Sequence, residues 1–321
     1  MEKILVFGYG NIVKHHIKNI RLINPNVKFL IVAKNAYKHS DQQGIKIVKN
    51  FKDLNLKLFK TVLICSPANT HLRYLQHFIK RKVKVFIEKP LDTNLKLAEK
   101  ILKSKNIIKA DIKIGYVFKY SKLANKIKNF LKREYLGNIK EVEILSSSYL
   151  PNWRKNKDYK RSVSAQKKLG GGVLLELSHE IDYLFWFFGE PQSFQSSLYF
   201  SKSIKTDVET GVIIKMIYKK GFTVVMKLDF HSKNKNERFC KIYGSKKKLS
   251  WYINKKNILI KNNNNKLIKK IYDNSDMFYD QMYSFIKKKR SQSTIKKEYV
   301  NSLNILKFIK KVKLNEKIYE K

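Results

Sequence analysis

A rhythm of short apolar runs in the first third of the chain limits what it can become. KILVFG (3–8), VKFLIVA (27–33), IKIVK (45–49), TVLIC (61–65), VKVFI (83–87) and IKIGY (112–116) each have strand length and are rich in Val and Ile. Between them, helical stretches are predicted at 11–22, with Ile12, Ile17 and Ile20 inward, and at about 69–81 and 92–104. Apolar strands separated by helices describe a parallel sheet covered on both faces. The expectation is a doubly wound α/β domain over residues 1–120, the Rossmann arrangement that binds dinucleotides.

The first strand–turn–helix carries GYGNIV. Gly8 and Gly10 occupy the first two places of G-x-G-x-x-G, and Val13 stands in the third. Such a turn brings a pyrophosphate to the start of the helix, here Asn11 and Ile12, where main-chain N–H groups are unpaired. An acidic residue for the ribose hydroxyls of NAD is expected after the second strand; Lys34 and Asn35 stand there instead. A lysine suits a 2′-phosphate better than a diol, which leans the cofactor toward NADP. The alternative is one more lysine in a lysine-rich chain.

That composition bears on function. The formal net charge is +44, and 61 of the 69 basic residues are Lys, spread along all 321 positions. Dedicated nucleic-acid binders gather charge on one face and favour Arg. Lys, Asn and Ile share AT-rich codons, so genome bias is the simpler reading, and no specific nucleic-acid partner is expected. Cys65 and Cys240 cannot make a disulfide framework. With no secretory signal before the first strand and no run long enough to cross a bilayer, the expected location is the cytoplasm, with no membrane partner and no metal.

GGGVLLELSHEIDYLFWFF (170–188) poses a separate question. Leu174, Leu177, Ile181, Leu184 and Phe188 repeat at helical spacing, so a helix is predicted over 173–188. On a continuous helix Glu176, His179 and Tyr183 fall on the opposite face, among Leu175, Trp186 and Phe187. Buried titratable groups have a partner or a task. A core histidine with its hydrogen bonds satisfied is the bland alternative.

Two stretches give the chain a family likeness. CSPANTHLRYLQHFIKRKVKVFIEKPL (65–91) and GGGVLLELSHEID resemble the Gfo/Idh/MocA oxidoreductases, named for glucose–fructose oxidoreductase, inositol dehydrogenase and their relatives. GYGNIV matches that family's nucleotide turn, SPANTH its loop after the fourth strand, EKP its signature after the fifth, and GYVFKY (115–120) the strand leaving the nucleotide domain. The resemblance implies that Ser66, Pro67, His71, Glu88 and Lys89 border the cofactor. It implies that Lys89 polarises the reacting oxygen while His179 takes the hydroxyl proton as hydride leaves carbon. Family members commonly have Asp four residues before that histidine; here Glu176 stands three before it, and Asp182 is a further candidate to orient the imidazole.

Beyond residue 120 a helix is predicted at 121–133, then IKEVEILSSSYL, the loop 151–169, a hairpin in TGVIIKMIYKKGFTVVMKLDF (210–230), a polar turn NNNN (262–265), and late helices at 275–288 and 297–312. This describes an α+β domain over 121–321 with a mainly antiparallel open sheet. In the loop, Trp153, Arg154, Tyr159 and Arg161 offer stacking, charge and a hydroxyl suited to a sugar with an acidic group; a merely solvated loop is the alternative. The expected function is an NAD(P)-dependent dehydrogenase or reductase acting on a hydroxyl or keto carbon of a sugar or derivative. A place in bacterial surface-polysaccharide sugar biosynthesis and homo-oligomers through the C-terminal sheet go with it by resemblance. Alternatives are a non-catalytic NAD(P)-binding protein of the same fold, or a basic nucleic-acid binder.

Overall fold

The computed structural model describes residues 2–33, 44–103, 109–154, 158–233 and 236–320. The chain divides into two compact units, Met1–Val117 with Met277–Lys307 and Phe118–Asp276 with Phe308–Lys321. The late helical segment Met277–Lys307 therefore groups with the first unit, whereas the sequence alone suggested one break near residue 120.

In the first unit, strands β1 (Lys3–Phe7), β2 (Lys28–Val32), β3 (Ile45–Val48), β4 (Thr61–Ile64), β5 (Lys84–Ile87) and β6 (Asp111–Ile114) form one sheet in the order β3-β2-β1-β4-β5-β6. Every pair is parallel. β1 and β4 are buried almost throughout, which is why their sequences do not alternate. The register puts Phe7 beside Ile64, Ile64 beside Ile87 and Ile87 beside Ile114, so the carboxyl ends of four strands lie in one row. Strand order reverses between β1 and β4, where open α/β sheets bind ligands.

Helices α1 (Asn11–Ile23), α2 (His71–Leu75) and α3 (Leu95–Lys103) connect these strands. α2 and α3 are shorter than predicted. Asp92, expected inside a helix, accepts instead from the N–H groups of Leu72, Thr93 and Asn94 and so holds a turn.

The second unit begins with α4 (Lys122–Lys132) and β7 (Ile139–Ser147). α5 (Val173–Glu176) and α6 (Ser178–Phe188) follow, then β8 (Ser193–Phe200), β9 (Gly211–Ile217), β10 (Thr223–Asp229), β11 (Glu237–Gly244), β12 (Lys247–Tyr252), β13 (Asn257–Asn262) and β14 (Leu267–Tyr272). With β15 (Glu316–Glu320) they make a nine-stranded sheet, β14-β13-β12-β11-β7-β10-β9-β8-β15. Only β7 with β10 and β8 with β15 run parallel, among the described residues. One face is apolar and buried, for example Ile144, Ile214, Met226, Cys240 and Trp251; Lys215, Lys227 and Lys241 alternate with them on the other.

The helix predicted over 173–188 is broken at Leu177 (φ −97°, ψ 25°). Ser178 turns its hydroxyl back to the Leu175 carbonyl at 2.9 Å, a competitor for regular helical bonding. The break changes which residues share a face. Glu176 ends the helix before the break; Tyr183, fully buried against Trp251, follows His179 by one turn on α6, and both rings pack on Phe118.

α7 (Met277–Lys287) and the start of α8 (Gln292–Leu314) pack in the first unit. Lys84 donates to the carbonyls of Phe285 and Ile286, at 3.1 and 2.6 Å, where the last turn of α7 leaves acceptors unpaired. Lys113, only 1% exposed, donates to Ser284 Oγ at 3.1 Å. Burial pushes its pKa down to about 8, against the opposing pull of Glu298. The folded chain thus gives up this proton before the unfolded chain does, so stability should rise with pH between about 8 and the ordinary lysine value near 10.4. Lys113→Met should stabilise the protein by on the order of 3 kcal/mol below pH 8, and the gain should shrink as pH approaches 10. Denaturant melts from pH 7 to 10 check this; a gain independent of pH would contradict it.

Candidate active site

Two glycines in the first turn answer to different demands. Gly8 has φ +97°, and a Cβ there would lie 2.6 Å from the Cys65 carbonyl oxygen, so the backbone requires glycine. Gly10 is extended (φ −93°, ψ −177°), and a Cβ there would meet nothing within 4 Å. Among the described residues, nothing requires glycine at that place. It opens onto the start of α1, which has no side-chain cap and no acidic residue in its first turn. An uncapped, unopposed helix start fits the pyrophosphate of a dinucleotide. Asn11 is exposed there, and Ile12 packs half-buried on the core. Lys34 and Asn35 lie outside the described residues.

The rest of the strand-end row is tightly tied. Ser66 Oγ meets Thr70 Oγ1 at 2.7 Å, just after β4, and Pro67 accepts from Thr70 through its carbonyl. His71, expected beside the cofactor, is 1% exposed, with its ring nitrogens 2.8 Å from the Ser66 carbonyl oxygen and 2.9 Å from that of Pro90. It fastens the SPANTH loop to the EKP turn. Glu88 is tied in the same way. Its Oε1 lies 2.6 Å from Nε2 of the fully buried His16, and its Oε2 accepts from the Lys89 N–H at 3.1 Å. Burial alone would raise its pKa, yet the hydrogen bond and charge of His16, with Lys89, hold it below the usual carboxylate value. Burial and the negative charge of Glu88 push the Cys65 thiol well up, so Cys65 stays a neutral core group. Lys89 itself is the second residue after β5, at the carboxyl end of the sheet.

In the second unit His179 opens α6, half-buried, its ring edge-to-face with Phe118 at 5.5 Å. Phe118 also meets Tyr183 and Trp251, and the Arg238 guanidinium lies 4.7 Å from its centroid. Arg238 donates through Nε to the fully buried Glu180 at 2.5 Å. Asp182, proposed from sequence to orient the imidazole, accepts from Lys119 Nζ at 2.7 Å. The glycine run preceding these helices has a packing cause: a Cβ on Gly172 would run into the Glu209 carboxylate, which also binds Lys313 at 2.9 Å.

The loop candidates are largely engaged elsewhere. Trp153 donates to Ser148 Oγ at 2.9 Å and leans its ring on Phe230. Tyr159 accepts the Lys205 N–H at 3.0 Å through its hydroxyl oxygen. Arg154 is exposed, and Arg161 has 90% of its side chain exposed with Asp158 3.9 Å away. Sequence reasoning missed His16, Phe118, Lys119, Glu180 and Arg238. His16 was accessible to it, since it shares the apolar stripe of Ile12, Ile17 and Ile20 on α1.

Comparison with known proteins settles the family. A profile described as "Oxidoreductase family, NAD-binding Rossmann fold" matches residues 2–107, and one described as "GFO/IDH/MocA C-terminal domain" matches 124–250. The chain belongs to the Gfo/Idh/MocA oxidoreductases. Among Gfo/Idh/MocA relatives it is similar to the myo-inositol 2-dehydrogenase of Thermotoga maritima, 25% identical over 65% of this chain and 60% of that one. The matched region thus spans about three fifths of that relative's length. Among solved structures it resembles KijD10, a 3-ketoreductase from Actinomadura kijaniata in complex with NADP and TDP-benzene, with TM-score 0.81, 16% identity and 100% and 99% of the two chains covered. It also resembles the WlbA dehydrogenase of Bordetella pertussis in complex with NADH and UDP-GlcNAcA, with TM-score 0.76, 15% identity and 97% and 96% covered. These two likenesses are of fold. Among the described residues, no helix is long and apolar enough to cross a membrane.

The contrast between the glycines is testable. Gly8→Ala should cost about 1–3 kcal/mol in backbone strain alone, before its clash with Cys65. Gly10→Ala should leave stability within about 0.5 kcal/mol but weaken NAD(P)H affinity. Thermal melts and fluorescence titration of the same proteins separate the two effects; equal losses of stability would contradict the assignment.

Proposed function

We propose that this NAD-binding oxidoreductase transfers a hydride between NAD(P) and a hydroxyl or keto carbon of a sugar or sugar derivative. The observation that carries the reading is the placement of Lys89. It sits at the end of β5 on a turn fixed by Glu88, in the strand-end row that holds the glycine turn and its open helix start. Gly8, Gly10 and the first N–H groups of α1 would hold the pyrophosphate, and the bound nicotinamide supplies or accepts the hydride. A lysine ammonium donates up to three hydrogen bonds and accepts none, which suits a developing alkoxide. A neutral imidazole accepts a proton at a ring nitrogen, so His179 is the proposed base for the hydroxyl proton. Relatives named as myo-inositol 2-dehydrogenase and glucose-6-phosphate 3-dehydrogenase support the substrate class. An acidic or nucleotide-linked sugar, as in surface-polysaccharide biosynthesis, is the finer form of this proposal. The exposed Arg154 and Arg161 support it most directly.

The cofactor leans to NADP through Lys34, so titration should show NADPH binding at least as well as NADH. Lys34→Asp should shift preference toward NADH by up to about 1–2 kcal/mol. For the chemistry, His179→Ala should lower kcat about 10²–10⁴-fold with cofactor affinity nearly unchanged. Lys89→Ala should be comparably damaging, and the double variant far from additive, since both groups serve one oxygen. Steady-state kinetics on a panel of sugars tests this; near-normal turnover by His179→Ala would return that residue to a structural role.

A further inference from the structure

Glu88 is held from three sides. His16 on α1 binds Oε1 at 2.6 Å, and the Lys89 N–H binds Oε2 at 3.1 Å. Gly115, just past β6, lies so close that a Cβ there would stand 2.9 Å from Oε2 and 3.1 Å from the Glu88 Cα. His16 is itself fixed, fully buried with its ring against Phe86 at 5.1 Å, edge-to-face. Phe86 in turn meets Phe285 of α7 at 5.5 Å.

We infer that His16 is a positioning residue for Lys89. The inference rests on the reading of Lys89 as the group that polarises the reacting oxygen. A buried carboxylate needs a cationic or N–H partner, and the charge of Lys89 already acts on Glu88. With His16 in place, Glu88 satisfies one oxygen on α1 and uses the other to fix the Lys89 main chain. Without His16, Oε1 loses its partner on α1, and the carboxylate that fixes the Lys89 N–H loses its anchor. His16, itself fully buried, therefore keeps ordered the turn from which the Lys89 side chain starts.

The test uses the full chain as His16→Leu, which removes the partner, and His16→Gln, whose amide nitrogen reaches about as far as Nε2. Should His16→Leu fail to fold, His16→Asn carries the same expectation, because its shorter amide cannot reach Oε1. In cofactor-free protein, hydrogen exchange at the Lys89 amide should quicken at least about tenfold in the Leu or Asn variant. Amides in β5 should keep their protection, and Gln should restore the original rate. With a turned-over sugar, kcat should fall about 10- to 100-fold while KM for the cofactor holds, again recovering with Gln. Unchanged exchange at Lys89 in the Leu or Asn variant would overturn the inference, as would a loss of protection spread evenly over β5. Normal turnover by Lys89→Ala would instead sink the catalytic reading and leave the exchange result standing.

Discussion

A negative charge buried at the end of a parallel strand has to be matched, and much of the first unit is organised around matching Glu88. The Val and Ile runs of β1, β4, β5 and β6 bury the sheet on both faces and set a register in which four strands end together. That register brings β5 and its Glu88 to the same row as the glycine turn. α1, which must start at that turn if its first N–H groups are to face an anion, then passes His16 beside the carboxylate. One helix thus presents an uncapped first turn beside the glycine turn and holds the EKP turn with its second. His71 and Asp92 add further ties, from the loop after β4 to Pro90 and from Leu72 to the turn after it. A lysine on so firmly held a turn has a fixed origin for its side chain, which preorganised hydrogen bonding to a developing charge requires.

The second unit solves a related problem differently. Its candidate base stands at the start of a short helix, which the Ser178 back-bond separates from the one before. Behind His179 lies an aromatic group of Phe118, Tyr183 and Trp251, with Arg238 and Glu180 paired beside it. Such a wall fixes the ring by packing, and the Lys119–Asp182 pair ties the GYVFKY segment to α6 at the next turn.

The strands, their parallel order and the glycine turn were legible in the sequence because each follows from local pattern: apolar period, turn chemistry and helix start. The hairpin of β9 and β10 was legible for the same reason. What escaped was long-range pairing. Nothing local says that His16 meets Glu88, 72 residues away, or that Asp182 accepts from Lys119, 63 residues before it. Glu176 was placed on one continuous helix with His179 and Tyr183, whereas the turn at Leu177 separates it from them. Glu88 and His71 were read from the motifs as bordering the cofactor; the structure adds that their side chains hold the turns on which neighbouring residues sit, which no local pattern announces.

Transfer of a labelled hydride tests the central claim most directly. NADPH or NADH carrying deuterium at C4 would be incubated with the protein and a panel of keto sugars, and the products examined by mass spectrometry. The expected result is one carbon-bound deuterium at a carbinol carbon of at least one sugar, lost in Lys89→Ala and in His179→Ala. Tight cofactor binding with no deuterium reaching any carbonyl would contradict it, and would mark the chain as a nucleotide-binding protein that has kept the fold without the reaction.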